Sequence, residues 1–212
     1  MKIIQIEPTV KTFSITWMIG SRCNYDCMYC PTSLHDNTSV PHSLETMQTA
    51  WRNIYTKSKN LGLNYKISIT GGEITANRNF LPFIQWLRTN YAEINEIHVT
   101  TNGSASLGYY QNLAQIVESI CFSTHSEFID EKKFFQKALL INKLMVRPAK
   151  SFHVNVMNEY WNQDRIILYK KLLEENAISY SINEIDYSLK NRDFIKTESK
   201  LNFHEIRKSK QL

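Results

Sequence analysis

Six short β-forming runs alternate with five helix-forming runs along this chain, and that order leaves few folds open. The strand-like runs cover 13–19, 65–70, 96–101, 119–124, 152–157 and 178–185. The helix-like runs cover 44–59, 78–90, 107–118, 130–143 and 161–176, the first with Ser43 as its N-cap ahead of Glu45 and Thr46. Strands joined through helices are parallel, and their crossovers are right-handed. Polarity inside the strands narrows the choice further. Ile67 and Ile69 oppose Lys66, Ser68 and Thr70, and Ile97 and Val99 oppose His98, Thr100 and Asn102. Ile120 and Phe122 oppose Cys121, Ser123 and His125, and Val154 and Val156 oppose His153, Asn155 and Met157. A parallel strand covered by helices on both faces is apolar nearly throughout, and a closed barrel fills its interior with Val, Ile and Leu. Here one face of each strand is polar. The pattern predicts an α/β fold, a partial (βα)6 TIM-like barrel of parallel strands with an open polar lumen.

The chain has 212 residues and a net charge of +5. That length supports one main domain with a sizeable core. We assign it to 1–185, followed by a polar basic extension over 186–212 in which seven Lys/Arg face four Asp/Glu. The excess charge is modest and concentrated there, so it reads as a solvated tail, and a nucleic-acid partner is not expected. No run is long and apolar enough for a transmembrane helix, and residues 1–10 lack a signal-peptide pattern.

Three of the four cysteines, Cys23, Cys27 and Cys30, lie within eight residues just past the first strand. Such clustering does not read as a disulfide framework. Three adjacent thiolates suit one soft metal centre with an open position. Two readings fit. Zinc would need a fourth ligand, for which His35 is close enough, although zinc ligands usually come as two separated pairs. An iron-sulfur cubane would use the three cysteines for three irons and leave the fourth iron free. Such thiols must stay reduced, so a cytoplasmic setting is expected.

Further motifs fall at the C-terminal ends of strands, where parallel α/β folds build their ligand sites. Thr70-Gly71-Gly72-Glu73 ends the second strand, Thr100-Thr101-Asn102-Gly103 the third, Ser123-Thr124-His125 the fourth and Asn155-Val156-Met157 the fifth. Glycines permit close backbone approach, and a carboxylate can pair with an ammonium group. Together with the cysteine loop these motifs resemble the radical S-adenosylmethionine (SAM) superfamily.

The resemblance implies a [4Fe-4S] cluster on Cys23, Cys27 and Cys30, with SAM chelating the fourth iron. It implies Gly71, Gly72 and Glu73 at the amino group of SAM and the Tyr29 backbone against its adenine. Asn102 would stand at the adenosine, Ser123 at the ribose, and Asn155 and Met157 under the adenine. His125, one pleat beyond Ser123, is a candidate substrate contact. It further implies reductive cleavage of SAM to methionine and a 5′-deoxyadenosyl radical, with an electron donor such as flavodoxin or ferredoxin and a small-molecule or peptide substrate. Cys121 is the one further cysteine, so auxiliary clusters are not expected. Activation of a glycyl-radical partner protein is an alternative. However, the Asp-x-Lys pattern of such activases is absent from Cys121-Phe122-Ser123-Thr124. The alternative from a different class is a non-catalytic zinc-binding module.

Overall fold

The structure is a computed structural model that describes residues 11–31 and 33–186. The expected basic extension therefore lies, apart from Asp186, outside the described residues. The strands are β1 (Thr12–Met18), β2 (Asn64–Thr70), β3 (Ile94–Thr101), β4 (Ser119–Thr124), β5 (Ser151–Asn158) and β6 (Ser179–Glu184). Between them run α1 (Leu44–Ser58), α2 (Phe80–Asn90), α3 (Leu107–Ile116), α4 (Glu131–Met145) and α5 (Gln163–Glu175). Side-chain caps start three of the helices. Ser43 accepts from the Thr46 amide, Ser106 from Tyr109 and Asp130 from Lys133, each worth about 1 kcal/mol.

All six strands are parallel and lie in sequence order from β1 to β6 in one sheet. Right-handed crossovers between successive neighbours put every helix on the same face. The sheet is open, with β1 and β6 at its edges. This is the partial barrel that the strand pattern predicts.

The helix-side face is the core. Tyr65, Ile67, Ile69, Ile97, Val99, Ile120, Phe122, Val154 and Val156 are all buried there. At its centre Phe122 packs against the rings of Tyr110, Phe134 and Phe152. Phe122→Ala is expected to cost about 3–5 kcal/mol through lost contacts and a residual cavity, read as a lowered midpoint in urea. β6 departs from the pattern. Its helix-side Ile182 is 43% exposed because β6 is an edge strand.

The other face is polar, and its groups bond to one another. His153 joins Ser179 through Nδ1 (2.9 Å) and Ser181 through Nε2 (3.0 Å), and the Ser181 hydroxyl donates to Asn155 Oδ1 (3.0 Å). Lower on the sheet, Glu96 accepts from Lys66 Nζ (2.9 Å) and meets His98 Nε2 (2.8 Å). Among the described residues no helix is long and apolar enough to cross a membrane.

Candidate functional site

Past β1 the chain keeps its bond to β2 and carries that order into the cysteine loop. The Ile19 amide donates to Thr70 O (2.9 Å), Gly72 to Gly20 O (2.8 Å) and Glu73 to Arg22 O (2.7 Å). This close pairing is what requires the two glycines. A Cβ on Gly72 would stand 2.3 Å from the carbonyl oxygens of Ser21 and Arg22. One on Gly71, whose φ is +141°, would stand 2.5 Å from Gly20 O. The sequence suggests glycines that make room for a ligand; in the structure they make room for the backbone leading into Cys23. The loop then closes on itself, since the Cys23 amide donates to Asp36 O (2.7 Å) and the Asp36 amide to Ser21 O (2.9 Å). The Asp36 carboxylate accepts from Thr38 N, Ser39 N and the Ser21 and Ser39 hydroxyls, which hold its pKa far below the usual carboxylate range.

The stretch that follows is thus an excursion pinned at both ends, and it carries Cys27 and Cys30, with Cys23 at its start. Cys27 is buried, Cys23 and Cys30 half-buried, and all three are free. Burial pushes each pKa up, that of Cys30 to about 11, and the charges of neighbouring cysteines raise those of Cys27 and Cys30 further. Three thiolates crowded in this way ionise together only around a cation, which reverses the local balance. A cationic iron-sulfur cluster supplies that charge. The residues present therefore fit the group. His35, the sequence's candidate for a fourth zinc ligand, turns Nε2 to Asp26 Oδ1 (3.2 Å). Among the described residues no three His, Cys, Asp or Glu side chains converge closely enough to hold a single ion.

Glu73 ties the end of β2 to the end of β3. Its carboxylate is 4% exposed and accepts from Thr75 N (2.9 Å), the Thr101 hydroxyl (2.6 Å) and Asn102 N (2.6 Å). Burial raises its pKa although these bonds oppose the rise. The Thr75 side chain bonds the carboxylate as well. The Asn102 side chain donates to Asn24 Oδ1 (2.9 Å), one residue past Cys23, and its own Oδ1 accepts from Ser104 N (3.0 Å). Glu73, Asn102 and the cysteine loop form one bonded unit.

The end of β4 closes the other side of the loop. His125 Nδ1 lies 3.5 Å from Cys27 Sγ and 2.5 Å from the Tyr29 hydroxyl. Its ring stacks on Tyr29 (6.0 Å between centroids, 16°) and meets Tyr25 edge-on. Burial lowers its pKa to about 4, so the imidazole is neutral at pH 7. Tyr25 stacks on Phe128 at 5.1 Å, and the Met28 amide donates to Glu127 Oε2 (3.4 Å). The candidate substrate contact of the sequence is thus placed against the cysteine loop.

Sequence reasoning missed the residue that holds this turn. Glu159, just past β5, is 1% exposed; it accepts from Ser126 N (3.0 Å), the Ser126 hydroxyl and Asn162 Nδ2 (3.2 Å). It mirrors Glu73, each being a buried carboxylate just beyond a strand that binds the backbone of the adjacent strand's end. An acidic residue directly after a strand was the available signal. Glu159→Ala strands the buried Ser126 amide, at a cost of about 1–3 kcal/mol, measurable by thermal or urea unfolding.

The remaining candidates sit on the lumen rim. Ser123 is buried and pairs with Asn155 in register, as Asn155 does with Ser181. The Met157 amide donates to Thr124 Oγ1 (3.1 Å), which joins β5 to the end of β4.

No family model matches the chain. Among curated proteins it is 34% identical over 109 residues to a GTP 3′,8-cyclase of Pasteurella multocida (strain Pm70), covering 49% of this chain and 31% of that protein. It is 33% identical over 94 residues to a GTP 3′,8-cyclase of Pectobacterium atrosepticum, covering 44% and 28%. The matched stretch is thus about a third of the length of these relatives. Among solved structures, Streptococcus suis SuiB superposes with a TM-score of 0.60 at 17% identity, over 82% of this chain and 40% of that one. The structure of anSMEcpe with bound AdoMet gives 0.61 at 17%, over 82% and 50%. These superpositions establish a shared fold. The chain thus joins three cysteines in one loop, at the mouth of an open parallel barrel, to a partial sequence likeness to GTP 3′,8-cyclases.

Proposed function

We propose that this protein is a radical SAM enzyme that cleaves SAM reductively and takes hydrogen from a small-molecule or peptide substrate held in the lumen. The observation that carries the reading is the cysteine loop, locked to β2 through Gly71-Gly72-Glu73 and to β3 through Asn102. When bound, the cluster and SAM supply a 5′-deoxyadenosyl radical, which is hard chemistry that protein side chains do not provide.

The chain's own residues bind, orient and exclude water. Cys23, Cys27 and Cys30 are the cluster ligands. Glu73 offers its carboxylate to the SAM ammonium, a charge-assisted bond. Gly71 and Gly72 keep that carboxylate close to the cysteine loop. The Tyr29 backbone, Asn155 and Met157 line the adenine side, and Ser123 faces the ribose. Asn102 acts on the same site through Asn24. The polar rows of β4, β5 and β6, from Cys121 and His153 to Ser181, are left to the substrate. The reductant is a small electron-transfer protein such as flavodoxin or ferredoxin, and reduced thiols fit a cytoplasmic setting.

The test is anaerobic incubation of the reconstituted protein with SAM and dithionite, with products separated by chromatography. Release of 5′-deoxyadenosine and methionine, lost in Cys27→Ala, is the expected result. A cluster-bearing protein that leaves SAM intact would contradict the reading.

A further inference from the structure

The cysteine loop and the end of β4 meet at Nδ1 of His125. The neighbours of this nitrogen are Cys27 Sγ at 3.5 Å and the Tyr29 hydroxyl at 2.5 Å. The ring is fixed on three sides. Tyr29 stacks on one face, Tyr25 meets it edge-on, and the turn that follows is held by Glu159 through the Ser126 amide. A neutral imidazole carries one proton, on either nitrogen. A cysteine that ligates iron is a thiolate and only accepts hydrogen bonds, whereas a tyrosine hydroxyl both donates and accepts.

We propose that the Nδ1–H of His125 donates a hydrogen bond to the ligating sulfur of Cys27 and thereby raises the reduction potential of the cluster; the inference rests on the radical SAM reading above. The physics is that of groups which hydrogen-bond to cluster sulfurs. Reduction adds negative charge that spreads onto the ligating sulfurs, and a donor aimed at one of them stabilises the reduced state more than the oxidised one. Cys27 is the most buried of the three ligands, so no water competes strongly for this bond. The Tyr29 hydroxyl, 2.5 Å from Nδ1, also bonds the Cys27 sulfur and is a second donor to it. His125 acts through Cys27 and makes no bond to iron.

The experiment uses the full chain with its cluster reconstituted anaerobically. Pulsed electron spin resonance of the reduced cluster is recorded with natural-abundance and with 15N-labelled histidine, and midpoint potentials are measured for wild type, His125→Phe and Tyr29→Phe. The expected results are a weak nitrogen coupling that changes with the label, is lost in His125→Phe and is kept in His35→Phe. The His125→Phe potential shifts to a more negative value. Tyr29→Phe, which removes the second donor to the same sulfur, shifts it the same way but keeps the nitrogen coupling. A histidine label invisible to an intact cluster, or equal potentials in wild type and His125→Phe, would overturn the inference and leave the radical SAM reading standing. Wild-type protein that assembles no iron-sulfur cluster would overturn both. Should His125→Phe fail to hold a cluster, the labelled wild type decides.

Discussion

Gly72→Ala protein will fail to hold its cluster at wild-type occupancy and will lose stability, although no cysteine has been touched. The added methyl group would sit 2.3 Å from two carbonyl oxygens, both on backbone that cannot swing away as a side chain would. The strand end and the cysteine loop must separate to admit it. That breaks the bonds from Gly72 N to Gly20 O and from Glu73 N to Arg22 O, which set the loop's height above the sheet. Overpacking of this kind costs about 1–3 kcal/mol or more. Iron content after reconstitution and the midpoint of urea unfolding measure the two effects. Gly108→Ala is the control. Nothing stands within 4 Å of a Cβ there, and the residue lies in the first turn of α3. Alanine should be neutral or stabilising by up to about 1 kcal/mol, with cluster content unchanged.

Loss of the Glu73 carboxylate should be the second large effect, on both the fold of the site and the affinity for SAM. Glu73→Ala leaves the Thr75 amide, the Thr101 hydroxyl and the Asn102 amide without their acceptor in a buried place. Each such group costs about 1–3 kcal/mol. The bond proposed to the SAM ammonium would be lost as well, worth about 1.5–3 kcal/mol for a charged partner. From sequence alone this residue reads as a ligand contact whose removal spares the cluster. The structure makes it a joint between two strand ends, so the alanine variant should also hold less cluster. Glu73→Gln separates the roles. It keeps the volume and one acceptor oxygen but removes the charge, so cluster content should largely recover while SAM affinity stays low. Calorimetric titration of SAM alongside iron analysis reads both. A glutamine variant with wild-type SAM affinity would confine Glu73 to the joint.

Much of this fold was legible because its signals are local. Alternating polarity in β2 to β5 follows from one sheet face against helices and the other against a lumen, and Ser43 and Asp130 announce helix starts through bonds to residues three positions on. Strand limits shifted by only one or two residues, as for β3, which begins at Ile94 because Ile94 already faces the core. What was not legible depends on contacts between strand ends far apart in sequence. Nothing local marks Asn102 as a partner of Asn24, 78 positions away, or Glu159 as a clamp on Ser126. Alternation puts His125 on the lumen side past β4, but it says nothing about how far the cysteine loop folds over that side. Tyr29 and Cys27 reach it there. The Gly-Gly pair was recognised as a close approach, yet only three-dimensional packing shows that the approaching group is backbone from residues 20–22.

The central claim is that Cys23, Cys27 and Cys30 hold a four-iron cluster with one iron open to SAM, and metal analysis joined to spin resonance tests it most directly. Anaerobically reconstituted protein should contain about four iron and about four sulfide per chain. After reduction its signal should change when SAM is added, and each of the three cysteine-to-alanine variants should be colourless. A colourless wild-type protein with stoichiometric zinc, or a cluster whose signal is indifferent to SAM, would contradict the account.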